Sequence, residues 1–99
     1  MNVLARARSY GVRVEFADLG DWGADELRSE YDPHGPCIRI NLRIAQALAA
    51  PELGDFVLFC VAHELYHHRE FVGEVERLPD LAQRESAANA YARAAVMRS

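Results

Sequence analysis

The 99-residue chain carries 11 Arg, no Lys and 15 acidic residues, giving a net charge of -4, and 51% of it is hydrophobic. That balance fits one folded domain over residues 1–99 and excludes a disordered chain, and the scattered charges give no reason to expect direct nucleic-acid binding. Cys37 and Cys60 form no CxxC pair, the first ten residues lack the apolar run of a signal peptide, and no stretch reaches membrane-spanning length; the expectation is a cytoplasmic protein with no membrane contact.

In chain order, residues 1–9 suit a short helix that Gly11 would close. Val12, Val14 and Phe16 alternate with Arg13 and Glu15, the period of two of a half-buried strand. Leu19 to Gly23 reads as a turn or loop, a weaker strand follows over about residues 25–31, and Asp32-Pro33-His34-Gly35-Pro36 is dense turn chemistry. Residues 37–41, with Ile38 and Ile40 apolar, form the better arm of a hairpin, so a small antiparallel sheet is expected. Asn41 can cap a helix carrying Ile44, Ala47 and Leu48, which Pro51 ends. The next helix begins near Leu53 or Asp55 and is apolar on nearly every side from Phe56 to Ala62, which places it in the centre of the fold. After a charged connection, Pro79 suits the first turn of a last helix with apolar positions Leu81, Ala88, Tyr91, Ala92, Ala95 and Val96. The expected class is α+β, with about four helices.

His63-Glu64-Leu65-Tyr66-His67 reads H-E-x-x-H. Four-residue spacing sets two imidazoles on one helix face, where both can reach one Zn²⁺, and Glu64 stands close enough to hold a water on that metal. This chain's own composition would produce the pattern by chance about 0.014 times. The bland reading is a polar helix end with surface histidines. A third protein ligand is needed, and Glu85 is the choice because it shares a stripe with Leu81, Ala88, Ala92 and Ala95, where an unpaired carboxylate would be unfavourable. Pairing of Glu85 with nearby arginines is the competing reading. Cys60, one turn before His63, is expected to be core packing, and Glu74 and Glu76 solvated surface. Tyr66, His68 and His34 are possible auxiliary groups, such as donors to a developing oxyanion.

The Tyr10-Gly11-Val12 entry to the first strand, the Gly35 to Asn41 strand, the Phe56 to His67 helix and the Glu85-Ser86-Ala87-Ala88-Asn89-Ala90-Tyr91-Ala92 segment together resemble the ImmA/IrrE family of HExxH metallopeptidases. The resemblance implies a zincin-like fold, zinc held by His63, His67 and Glu85, a catalytic Glu64, and an association with phages, mobile elements or stress responses in which helix-turn-helix repressors are cleaved. Tyr66 departs from the family, which often has Gly there. The resulting expectation is a zinc-dependent endopeptidase, a hydrolase acting on a protein or peptide, by metal-activated water with Glu64 as general base and then acid. The alternative is a non-proteolytic, zinc-stabilised binding or regulatory module. Tyr66, and a chain that stops just after the last helix without the appended region of some relatives, favour that alternative.

Overall fold

In the computed structural model, which describes residues 2–21 and 27–98, the chain begins at a cap: the Asn2 side chain accepts from the Ala5 amide at 2.8 Å and opens α1 (Val3–Ser9). Tyr10 ends the helix and Gly11 follows with φ +73°, a left-handed turn that glycine adopts without strain. Val3 and Ala7 face inward, so α1 lies against the core before β1 (Arg13–Ala17) starts.

The other two strands are β2 (Ser29–Asp32) and β3 (Cys37–Asn41), and the sheet order is β1-β3-β2. Of the weaker strand expected over 25–31, residues 25 and 26 lie outside the described residues, as do 22 and 23 of the preceding loop; residues 27 and 28 are not in a strand, and β2 begins at Ser29 and ends one residue later than expected. The sheet is mixed, which corrects the antiparallel expectation. β2 and β3 form the antiparallel hairpin, with Tyr31 opposite Ile38, whereas β1 runs parallel to β3, with Val14 opposite Ile38. The reason is that β3 is the strand buried on both faces: Cys37, Ile38, Ile40 and Asn41 are all buried, so it takes the middle. Both the end of β1 and the start of β2 sit at the Asn41 end of β3, so inserting β3 between them aligns it with β1.

One sheet face is apolar and one charged. Ile38 and Ile40 join the core, while Arg39 lies beside Glu15 of β1 (3.3 Å), Asp32 (3.3 Å) and Glu30 (3.8 Å) of β2.

Asn41 then changes the period. Its side chain accepts from the Arg43 amide and starts α2 (Leu42–Ala45), which is shorter than the expected helix. Beyond Ala45 the bonds tighten to Ala47 N–Ile44 O and Leu48 N–Ala45 O, and Gln46, Ala47, Ala49 and Ala50 are exposed, so no buried face extends the helix. The long α3 (Glu52–Phe71) follows, with Glu52 and Asp55 in its first turn where negative charge suits the helix dipole. Cys60, Val61, Ala62 and Leu65 of α3 are buried among Val3 and Ala7 of α1, Ile38 and Ile40 of β3 and Ala92 of α4 (Leu81–Met97), so α3 is central as expected. Asp80, not Pro79, starts α4: its carboxylate accepts from the Ala82 amide at 3.0 Å, and Pro79 stands just ahead of the cap. Fully buried Ala88 and Ala92 let α4 approach α3 closely.

Among the described residues the result is an α+β fold with a three-stranded mixed sheet and four helices, and its radius of gyration, 13.0 Å, is that of a compact domain of this length. No helix among the described residues is long and apolar enough to cross a membrane.

Candidate metal centre

α3 supplies His63, Glu64 and His67 from consecutive turns, and α4, packed beside it, supplies Glu85. The helical spacing brings the two imidazoles edge to face, with ring centroids 5.0 Å apart. Glu85 reaches across with both oxygens: Oε2 lies 2.9 Å from His63 Nε2 and Oε1 lies 3.3 Å from His67 Nε2. One donor atom from each of the three residues falls within 4.8 Å of the others, so His63, His67 and Glu85 could hold a metal ion.

The far sides of the rings sharpen this. His63 Nδ1 is 2.8 Å from Asn89 Oδ1, and His67 Nδ1 is 2.8 Å from Glu70 Oε1. An oxygen acceptor at Nδ1 keeps the proton there and turns the Nε2 lone pair toward Glu85. A lone pair facing a carboxylate is repulsive unless a proton or a cation stands between them. His67 Nε2 is sealed from solvent and, despite its 3.3 Å approach to Glu85, has no hydrogen-bond partner among the described residues. A cation between the imidazoles and the carboxylate would satisfy all three groups at once.

Glu64 is buried, 6% exposed, and its Oε2 accepts from the Ser29 hydroxyl of β2 at 2.7 Å. Burial pushes its carboxyl above the usual range, and the Ser29 hydrogen bond and the neighbouring imidazoles oppose the shift. A carboxyl held in this way can take up and release a proton closer to neutrality.

Comparison with family models, with curated proteins and with solved structures finds no match to this chain.

Two cavities open from the centre, of about 310 Å³ and about 510 Å³, and both are lined by Glu64, His67 and Glu85. The larger extends past Ser29, Phe59 and His63, and the smaller past Tyr31, Phe71 and Leu81. Glu64, His67 and Glu85 thus sit at the meeting point of two openings, with β2 contributing residues to each.

The auxiliary groups are placed elsewhere. Tyr66 packs its ring on Tyr91 of α4 at 5.8 Å, so the bulk at this position is taken up between the helices. His68 is buried between Tyr10 and Tyr31, with Nδ1 2.6 Å from the Tyr31 hydroxyl, and His34 is exposed on the hairpin turn beside Asp32. Neither cavity is lined by any of the three. Cys60 stays with the core: it is 1% exposed, and burial pushes its thiol up to about 11. Glu74 is a surface group tied to Tyr10.

Ser29, Glu70 and Asn89 are site residues that pattern reading passed over. Glu70 and Asn89 had a usable signal, since each lies three or four residues along a helix from a ligand, His67 or Glu85, and so shares its face. Ser29 had none, because its contact with Glu64 depends on how β2 lies over α3.

Proposed function

We propose that this chain is a zinc-dependent endopeptidase with a zincin-like fold, acting in the cytoplasm, with His63, His67 and Glu85 as ligands and Glu64 as the proton carrier. The observation that supports this most is the pair of Nε2 atoms turned onto one carboxylate by hydrogen bonds behind each ring. Two imidazoles and a carboxylate are the donor set of catalytic zinc sites, and bonds of about 2 Å set neighbouring ligands about 3.3 Å apart, close to the 2.9 and 3.3 Å found. Bound zinc would polarise a substrate carbonyl and make water more acidic.

The chain's own residues supply the rest. Ser29 occupies Glu64 Oε2, leaving Oε1 to accept a proton from the attacking water and return it to the amine nitrogen as the peptide bond breaks. β2 is an edge strand beside α3 among the described residues, a position that suits alignment of an extended peptide along the cleft. The resemblance to the ImmA/IrrE family points to a regulatory protein as substrate, such as a helix-turn-helix repressor.

The second reading, a zinc-stabilised binding or regulatory module without proteolysis, is favoured by one observation: none of Tyr66, His68 and His34, the groups considered as oxyanion donors, lines either cavity. Glu64→Gln separates the readings. It should retain zinc and lose cleavage of a repressor encoded nearby that the wild type cuts. Cleavage surviving in the variant would overturn the role of Glu64, and zinc-loaded wild type that cuts none of the candidates would select the binding module.

A further inference from the structure

The smaller cavity is asymmetric in charge in a way the metal does not require. Arg77, from the connection before α4, and Arg84, one residue before the ligand Glu85, both line it, together with Tyr31, Phe71 and Leu81. Neither guanidinium has an ion-pair or hydrogen-bond partner among the described residues. Arg84 is half-buried, and its Nε is sealed from solvent without a partner. Each carboxylate of the same cavity faces another group with at least one oxygen, Glu70 Oε1 toward His67, Glu64 Oε2 toward Ser29 and Glu85 toward the two imidazoles, while Glu70 Oε2 is buried without a partner among the described residues. The other opening differs, because its arginine, Arg28, stacks over Phe59 at 6.0 Å.

Leaving a half-buried guanidinium unpaired is unfavourable, and a carboxylate is the group its planar donors match best. We propose that Arg77 and Arg84 form a subsite for a substrate carboxylate on the Tyr31 side of the metal centre, so that the preferred peptides carry an acidic side chain or a free C-terminus there. The apolar Tyr31, Phe71 and Leu81 then pack the stem of that residue. This inference rests on the peptidase reading for its substrate class, and its test measures binding rather than cleavage.

The probes are fluorescein-labelled alanine hexapeptides. One series has a C-terminal amide and a single Glu or Gln moved through each position, and one peptide is all alanine with a free C-terminal carboxylate. Fluorescence anisotropy is read on zinc-loaded Glu64→Gln protein, alone and with Arg77→Gln, Arg84→Gln, both changes, or Arg84→Lys. At least one carboxylate-bearing peptide should bind about tenfold or more tighter than its neutral match, and added salt should weaken that preference. The preference should fall below about threefold in the double variant and be partly kept in Arg84→Lys. A positional Glu effect identifies the side chain as the source, and preference for the free acid identifies the terminus. Equal binding of acidic and neutral peptides, or a preference that survives loss of both arginines, overturns the subsite. A protein that prefers carboxylates but cuts no peptide keeps the subsite and loses the peptidase reading; one that cuts peptides without this preference does the reverse.

Discussion

His67 Nδ1 lies 2.8 Å from Glu70 Oε1, a carboxylate one turn further along the same helix, so α3 itself steers the ring that faces Glu85. Glu70 is 8% exposed, and its second oxygen is buried without a partner among the described residues. A carboxylate kept in such a place is explained by its work on the imidazole.

Glu70→Gln keeps the shape and weakens the hold on the ring. Zinc affinity should fall by about 10- to 100-fold with little change in fold, as read by competition with a chromophoric chelator and by circular dichroism. Unchanged affinity would mean that the ring is oriented by packing alone.

Asn41 should matter for stability more than a polar residue at the end of a strand would suggest. It is 1% exposed, its Oδ1 accepts from the Leu19 and Arg43 amides, and its Nδ2 donates to the Gly20 and Leu27 carbonyls. It thereby ties the ends of the connection between β1 and β2 to the start of α2. Asn41→Leu strands several of these buried groups and should lower unfolding free energy by about 2–4 kcal/mol in urea titrations.

The Tyr10 hydroxyl donates to the Glu74 carboxylate at 2.6 Å, and this bond is the main reason that the Glu74 carboxyl lies below its usual value, with Arg69 assisting. A depressed carboxyl contributes stability above its unfolded value and loses it as pH falls through the folded one. Tyr10→Phe should therefore raise the Glu74 midpoint, followed by carboxyl ¹³C NMR, and the contribution should vanish at a higher pH than in wild type. A midpoint unmoved by Tyr10→Phe would assign the shift to Arg69.

How much of this could be read from the chain follows from which forces act locally. The caps at Asn2 and Asn41, the turn at Gly11 and the helical frame of His63, Glu64 and His67 depend on neighbours within a few residues, and periodicity found the strands and the central helix. The stripe argument for Glu85 is only half right: Ala88 and Ala92 of its stripe are buried, but Leu81 is 60% exposed and the Glu85 side chain 45% exposed, so the residue sits at a cleft rather than on a fully apolar face. The mixed sheet and the Ser29–Glu64 bond stayed hidden because both depend on β3 entering between two strands that precede it, a long-range pairing with no local signature. His68 shows the converse, since a histidine directly after the motif is turned by the same helical geometry into the core.

The most direct measurement is metal content by mass spectrometry of protein purified from zinc-supplemented cells, for wild type, His63→Ala and Glu85→Ala. The account predicts about one zinc ion per wild-type chain, strongly reduced occupancy in both variants, and a lower melting temperature for wild type after chelation. Wild-type protein that binds no divalent metal, or a Glu85→Ala variant that holds zinc as tightly as wild type, would contradict it.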